Sequence, residues 1–301
     1  MTHRRAVALM ILATILWSIA GVVTRHLDSA RSFELTFWRS LFNALALMVA
    51  LSVMRGPAFW RGLLHAGWPV WVSGVCWAVM YTSFMVAMTK TTVANVLVTL
   101  AIGPLITALF ARLFLAHRLP ARTWLAIALA GAGIAWMFGK EAMAGASLTG
   151  TLVALIVPLT AAINWTLLQH VAHGDAGLAV EDRLDMLPAV LIGATLSALA
   201  TLPLAYPLQA SGHDMGLLAL LGVVQLAIPC LLAVRLTREL PAAEIALLGL
   251  LEVLFGVTWT WLWGGESPSS GTVIGGALVI SALVLNELLE LKQKRIPAAQ
   301  T

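Results

Sequence analysis

The sequence predicts an all-α integral membrane protein with ten transmembrane helices, because its composition is too apolar for a soluble domain and its apolar residues form segments of membrane-spanning length. Of its 301 residues, 60% are hydrophobic and 11% are charged, and the mean hydropathy is +0.92. Soluble domains are about half apolar and about a quarter charged. Apolar segments of about 17 to 24 residues, enough to cross a hydrocarbon layer of about 30 Å as helix, cover residues 6–24, 34–54, 68–89, 93–115, 122–138, 148–169, 184–204, 216–234, 242–263 and 271–289.

The lysine and arginine residues are concentrated in alternate connections between these segments. With the amino terminus in the cytoplasm, thirteen of the 18 lie on the cytoplasmic side, four lie on the other side, and Arg39 lies within the second segment. Cytoplasmic loops of membrane proteins carry such an excess. We therefore expect a multi-pass protein of a bacterial inner membrane with both termini in the cytoplasm. We expect a monomer surrounded by lipid, with no nucleic-acid partner.

An internal repeat relates the two halves of the chain. A shift of 149 residues places Ala94 on Ala243, Leu105 on Leu254 and Thr123 on Thr272, and a shift of 148 places Ile15-Leu16-Trp17-Ser18 on Ile163-Asn164-Trp165-Thr166. Because five helices per repeat is an odd number, the second repeat must be inverted relative to the first. The predicted repeats are residues 1–140 and 141–301, an arrangement typical of secondary transporters that bind substrate between their halves.

Several short motifs resemble the drug/metabolite transporter superfamily, in particular its EamA-type members. They are Leu16-Trp17-Ser18, Phe37-Trp38-Arg39, Tyr81-Thr82, Gly103-Pro104-Leu105, Leu251-Glu252 and Gly265-Glu266. The sequence departs from the family pattern at His117, where an acidic residue is expected, and at Val253, where a proline is expected. The overall pattern is most similar to the YddG-type exporters of aromatic amino acids. This resemblance implies efflux of amino acids or related metabolites.

Four aromatic residues, Trp17, Trp77, Tyr81 and Trp165, lie near the middle of their segments, whereas most other tryptophans lie near segment ends, as in an interfacial belt. Trp17 and Trp165 occupy matched positions of the repeat, so they could form two aromatic walls that stack on a planar substrate. Met85 would add soft, adaptable surface. The alternative for each of these residues is ordinary helix packing.

Polar residues within the segments are the other candidates for substrate binding, because such residues are costly in lipid and tend to face a protein interior or a cavity. Asn95, Thr99, Asn164 and Gln225 could present hydrogen-bonding groups to a zwitterionic ligand, or they could only bond to neighbouring helices.

Charged and helix-breaking residues are candidates for coupling and movement. Glu252 is a candidate proton carrier, or it pairs with Arg39, or it is a structural acid. Arg39 itself is more simply explained by packing or by pairing with Glu34. Pro104, Pro158 and Pro229 interrupt three segments and are either hinges or fixed kinks.

Other classes of function lack a supporting pattern. No G-x-x-x-x-G-K-[ST] run occurs, which argues against an ATP-driven pump. The candidate ligands for an intramembrane metalloenzyme have no defined ligand spacing; they are His170, His173, Asp175, Glu181, Asp182 and Asp185. We therefore predict no catalytic residues, no metal site, no cofactor and no enzymatic activity.

The predicted function is a secondary transporter that exports amino acids, above all aromatic and other apolar ones, or related small metabolites. It would work by alternating access through a central cavity lined by the first, third, fourth, sixth, eighth and ninth segments. The alternatives are an exporter of drugs or purine-type metabolites, and a membrane-embedded sensor of small molecules.

Overall fold

The computed structural model of the chain describes residues 1–24, 26–29, 32–91, 93–116, 119–144, 147–175, 177–179, 183–263 and 270–295. Within these ranges every regular element is a helix, so the prediction of an all-α protein is confirmed. His117, Glu181, Asp182, Gly265 and Glu266 lie outside the described residues.

The helices are numbered in chain order. They are α1 (His3–Ser18), α2 (Ala20–Thr24), α3 (Ser32–Arg55), α4 (Ala58–Leu64), α5 (Trp68–Lys90), α6 (Val93–Leu100), α7 (Gly103–Phe114), α8 (Ala121–Ala144), α9 (Leu148–Gly174), α10 (Pro188–Ala205), α11 (Gly212–Leu220), α12 (Ile228–Leu236), α13 (Ala242–Gly249), α14 (Leu251–Trp263) and α15 (Ser270–Arg295). A π-helix, Leu221–Ala227, joins α11 to α12.

Nine segments of the described chain are long and apolar enough to cross a membrane. They are His3–Thr24, Phe33–Arg55, Trp68–Lys90, Asn95–Phe114, Ala121–Gly139, Leu148–Gly174, Pro188–Ala205, Gly212–Leu236 and Ala242–Trp263. Each of them overlaps one predicted segment. The tenth predicted segment, 271–289, lies in α15, whose apolar part, Ser270–Asn286, is shorter than the other nine.

The seventh segment begins later than the predicted residue 184, because the chain before α10 is held in a loop. The Asp185 carboxylate accepts a hydrogen bond from the Leu187 N–H group (3.2 Å) and pairs with Arg55 (2.9 Å). Pro188 then occupies the first turn of α10, where a missing N–H group costs no helical hydrogen bond.

Four membrane segments are interrupted within the described chain. The first breaks at Ile19 between α1 and α2, and the eighth contains the π-helix. The fourth breaks between α6 and α7, and the ninth breaks at Leu250 between α13 and α14. Pro104 and Pro229 lie in the first turns of α7 and α12, after two of these interruptions, whereas Pro158 lies inside the continuous helix α9.

Glycines allow the closest contacts between helices. A Cβ atom added to Gly133 of α8 would lie 2.7 Å from the Gly275 carbonyl oxygen of α15. A Cβ atom on Gly193 of α10 would overlap the Trp77 Cβ atom of α5 and lie 2.9 Å from the Gly74 carbonyl oxygen. Small residues are common at such interfaces in membranes because they bring two backbones together.

Two buried carboxylates connect segments that are distant in sequence. Asp214 accepts hydrogen bonds from the backbone N–H groups of Asp28 (2.8 Å) and Ser29 (3.1 Å). Glu34 accepts hydrogen bonds from the backbone N–H groups of Gln209 and Ala210, both at 2.7 Å. The suggested pairing of Glu34 with Arg39 is therefore wrong: the Glu34 carboxylate instead joins α3 to the connection before α11.

We predict that Gly193→Ala lowers thermal stability, since the added methyl group would displace Trp77 or separate α5 from α10. The expected loss is about 1–3 kcal/mol, as for other overpacked sites. The matched control is Gly131→Ala in α8, where no atom lies within 4 Å of the added Cβ position. The measurement is the melting temperature of both variants purified in detergent. An unchanged melting temperature for Gly193→Ala would contradict the close packing of α5 and α10.

Candidate substrate cavity

A cavity of about 210 Å³ lies among the interrupted helices. It is lined by residues of the six predicted segments and also by Arg39 of the second segment, α3. Both sides of the breaks in the fourth and ninth segments contribute, through Leu100, Gly103, Gly249 and Glu252. The cavity therefore forms where the helices are discontinuous.

Aromatic side chains form one wall of this cavity. The ring of Trp77 lies 5.5 Å from that of Trp165, edge to face, and 5.6 Å from that of Tyr81. Trp17 of α1 also lines the cavity. The structure thus brings together all four aromatic residues that the sequence singled out. Rings in such arrangements can stack on a planar or apolar solute.

Contacts of α5 with its neighbours hold Trp77 and Tyr81 in the same wall as Trp165. Trp77 and Tyr81 are four residues apart, so they lie on one face of α5. The Tyr81 hydroxyl group donates a hydrogen bond to the Cys230 sulfur (3.3 Å). Gly193 allows α10 to pack directly behind Trp77. These contacts hold the aromatic wall between α9, α10 and α12.

Polar residues line the remaining surface of the cavity. Arg39 is 3% exposed, and its Nη2 atom donates one long hydrogen bond (3.4 Å) to the Tyr81 carbonyl oxygen. Gln225 of the π-helix donates a hydrogen bond from Nε2 to the Trp17 carbonyl oxygen (3.3 Å). Glu252 and Thr107 line the same cavity. The cavity therefore combines an aromatic wall with a cation, a carboxyl group and neutral polar groups.

Several of these polar groups have no hydrogen-bond partner among the described residues. They are Arg39 Nε, Trp77 Nε1, Thr107 Oγ1 and Gln225 Oε1. Each of these atoms is buried, and each belongs to a residue that lines the cavity. Buried polar groups in proteins are normally hydrogen-bonded, and exceptions often mark functional sites.

Four other predicted site residues lie outside this cavity and contact neighbouring residues instead. Asn95 donates hydrogen bonds from Nδ2 to the hydroxyl groups of Thr91 (3.0 Å) and Thr151 (2.7 Å). Thr99 donates to the carbonyl oxygen of Asn95 (2.7 Å). Asn95 therefore bonds to the neighbouring helix α9, whereas Thr99 bonds within its own helix α6.

Asn164 and Met85 lie one residue away from residues that do line the cavity. The Asn164 Oδ1 atom accepts a hydrogen bond from the Ser73 hydroxyl group (2.6 Å), whereas Trp165 faces the cavity. Met85 packs against a separate apolar cluster that includes Leu35, and its neighbour Phe84 lines the cavity. Consecutive helical residues differ in direction by about 100°, which follows from 3.6 residues per turn.

The predicted hinge residues have different positions relative to the cavity. Pro104 and Pro158 line it, and Pro229 is buried beyond it at the start of α12. Thr107 was missed by the sequence analysis. It lies three residues after Pro104, one helical turn along the same face of α7, so its spacing from the proline could have identified it.

The acidic residues considered as metal ligands pair with arginines where the structure describes them. Asp175 pairs with Arg238 at 3.4 Å, and Asp185 pairs with Arg55 at 2.9 Å. Among the described residues, no group of three or more histidine, cysteine, aspartate or glutamate side chains is placed to hold a metal ion.

Comparisons with known proteins agree with this architecture. The model of the EamA-like transporter family matches residues 4–139 and 148–288. The pseudopaline exporter CntI of Pseudomonas aeruginosa (strain UCBPP-PA14) is 24% identical over 287 residues, which cover 93% of this chain and 95% of that protein. The riboflavin transporter of Rhizobium johnstonii is 24% identical over 309 residues, covering 96% of this chain and 93% of that protein.

A crystal structure of another protein has the same fold as this chain. Its TM-score is 0.73 at 19% sequence identity, and the match covers 96% of this chain and 99% of that one. The family match extends over most of the chain, from the first helix to the last. The chain therefore belongs to the EamA-like transporter family of the drug/metabolite transporter superfamily.

Proposed function

We propose that this transporter exports amino acids with aromatic or other apolar side chains, or closely related small metabolites, by alternating access. The observation that carries the proposal is the aromatic wall of Trp77, Tyr81 and Trp165 in a cavity that also contains Arg39 and Glu252. The wall suits an apolar side chain, and the charged groups suit a polar head. The relatives named as an exporter and a transporter support solute movement, but their named solutes differ.

The size of the cavity favours a small solute over a drug-sized one. Pockets that enclose drug-sized ligands have volumes of roughly 300–1,000 Å³, whereas this cavity has about 210 Å³. A purine-type metabolite would also stack on the aromatic wall, so adenosine belongs among the test solutes.

We further propose that two inverted five-helix repeats, residues 1–140 and 141–301, enclose the cavity between ten membrane segments. The family model matches residues 4–139 and 148–288, which supports this division. Tyr81 and Cys230, which are in contact, are 149 residues apart, the offset of the repeat. If equivalent positions touch, they lie at the axis that relates the two repeats.

The orientation that we propose places both termini in the cytoplasm of a bacterial cell. It rests on the thirteen lysine and arginine residues that then face the cytoplasm out of the 18 in the chain. Discontinuous helices at the cavity, in the fourth and ninth segments, are typical of transporters in which one repeat rocks against the other.

We predict saturable uptake of labelled tryptophan and phenylalanine into proteoliposomes, with at least a tenfold loss in Trp165→Ala, because that change removes the edge-to-face contact with Trp77. Uptake of labelled threonine and adenosine tests the alternative substrates. All four solutes are measured with and without an imposed pH gradient. The control is Trp136→Ala, since the Trp136 side chain is 64% exposed in α8, away from the cavity. Dependence of uptake on the gradient would show that transport is coupled to protons. If wild type binds label but moves none, the protein is a sensor and the transport proposal is wrong.

We predict that cysteines introduced at Trp17 and Trp165 react with a membrane-impermeant maleimide from one side of the membrane. The reason is that alternating access must open the cavity to water. The native Cys76 and Cys230 are buried and are replaced by alanine in this background. Leu199→Cys, on the exposed apolar surface of α10, is the control and should stay unlabelled in lipid. Failure of both cavity positions to react from either side would exclude the water-filled path.

A further inference from the structure

The polar groups of the cavity divide into hydrogen-bond donors and acceptors. Among the lining residues, Arg39 Nε and Trp77 Nε1 are buried donors without a partner, and Gln225 Oε1 is a buried acceptor without one. Thr107 can act in either way because a hydroxyl group both donates and accepts. Glu252 lines the same cavity and carries a second acceptor group.

We propose that Arg39 and Trp77 form a carboxylate-binding end of the cavity, and that Gln225 and Glu252 bind the ammonium group of the same substrate. The transported class would then be zwitterions with an apolar side chain, not amines or acids of the same shape. This inference rests on the proposed function, because it assigns the substrate to the cavity that the transport proposal uses.

Arg39 is the strongest evidence for the carboxylate end. A guanidinium group carries five N–H donors in a planar fork, and the bond to the Tyr81 carbonyl oxygen, at 3.4 Å, is long for an N–H···O hydrogen bond. Burial of a guanidinium charge is costly unless nearby polar or acidic groups compensate it, and Glu252 in the same cavity compensates it in part. A carboxylate can accept two parallel N–H bonds from arginine, which is a strong and geometrically specific contact.

The packing of α3 against the π-helix keeps Arg39 and Gln225 near each other. A Cβ atom added to Gly222 of the π-helix would lie 2.8 Å from the Arg39 carbonyl oxygen, so the two backbones are in direct contact. Gln225 follows Gly222 by three residues, and its Nε2 atom is fixed on the Trp17 carbonyl oxygen. Isolated π-helical turns are frequent at functional sites. Here the π-helix supplies a polar side chain, Gln225, to the cavity that the aromatic wall also lines.

Trp77 connects the aromatic wall to the proposed carboxylate-binding end of the cavity. Trp77 belongs to both surfaces: its ring contacts Trp165 and Tyr81, and its Nε1 donor lacks a partner. A substrate whose apolar side chain packs on these rings would bring its charged head toward Arg39. The same residue can therefore bind both parts of one small molecule.

The test compares three probes of similar shape: phenylalanine, phenethylamine, which lacks the carboxylate, and 3-phenylpropionate, which lacks the ammonium group. Each competes with labelled phenylalanine for uptake into proteoliposomes. We expect phenylalanine to compete at least tenfold better than either analogue. Arg39→Gln should weaken phenylalanine and 3-phenylpropionate by roughly 10- to 100-fold, the usual scale for a lost charged hydrogen bond, and leave phenethylamine unchanged.

The opposite pattern is expected for the ammonium end. Gln225→Leu and Glu252→Gln should weaken phenylalanine and phenethylamine and leave 3-phenylpropionate unchanged. The matched control is Arg112→Gln, because Arg112 is an exposed arginine of α7 that does not line the cavity. It should match wild type with all three probes.

A second measurement separates this inference from the transport proposal. In purified protein, a bound probe raises the melting temperature, so phenylalanine should stabilise wild type but not Arg39→Gln even if no label moves through liposomes. Comparable unliganded melting temperatures for wild type and variants show that folding is intact. Equal competition and equal stabilisation by phenylalanine and phenethylamine in wild type, or equal weakening of all three probes in Arg39→Gln, would overturn the inference.

Discussion

Backbone polar groups in the hydrocarbon interior must find partners within the protein, because the lipid offers none. This constraint limits where a helix that crosses the membrane can be interrupted. In the described chain, the breaks between α6 and α7 and between α13 and α14, together with the π-helix, all border one cavity. Three of the four interruptions in the described segments therefore border the same cavity.

Polar side chains between the helices also need hydrogen-bond partners within the protein. Between helices they bond to one another: Asn95 donates to Thr91 and Thr151, and Ser197 bonds to Ser40 and to Thr82, each at 3.0 Å. Four residues that line the cavity, Arg39, Trp77, Thr107 and Gln225, carry buried polar atoms without a partner among the described residues, and so do several residues away from it, including Asn43 and Thr166. The paired groups hold the helices in place.

Two glycines determine where Trp77 and Arg39 lie in the cavity. Gly193 brings α10 against the backbone of α5 next to Trp77, and Gly222 brings the π-helix against the backbone of α3 next to Arg39. Neither glycine lines the cavity. Both set the position of a residue that does, so packing outside the cavity controls its geometry. The hydrogen bonds accepted by the Asp214 and Glu34 carboxylates lie at the starts of α11 and α3. They join segments from the two halves of the chain.

The sequence by itself determined the class of protein, nine of the membrane segments and the four central aromatic residues. Segment length and hydropathy are local properties, so they are visible in the chain without knowledge of the fold. Trp17 and Trp165 stood out in the sequence because both lie near the middle of an apolar segment. Only the tertiary structure decided which face of each helix borders the cavity, as with Phe84 instead of Met85 and Trp165 instead of Asn164. In a membrane, faces toward lipid and faces toward other helices are both apolar, so no alternation of polar and apolar residues reveals the rotation of a helix.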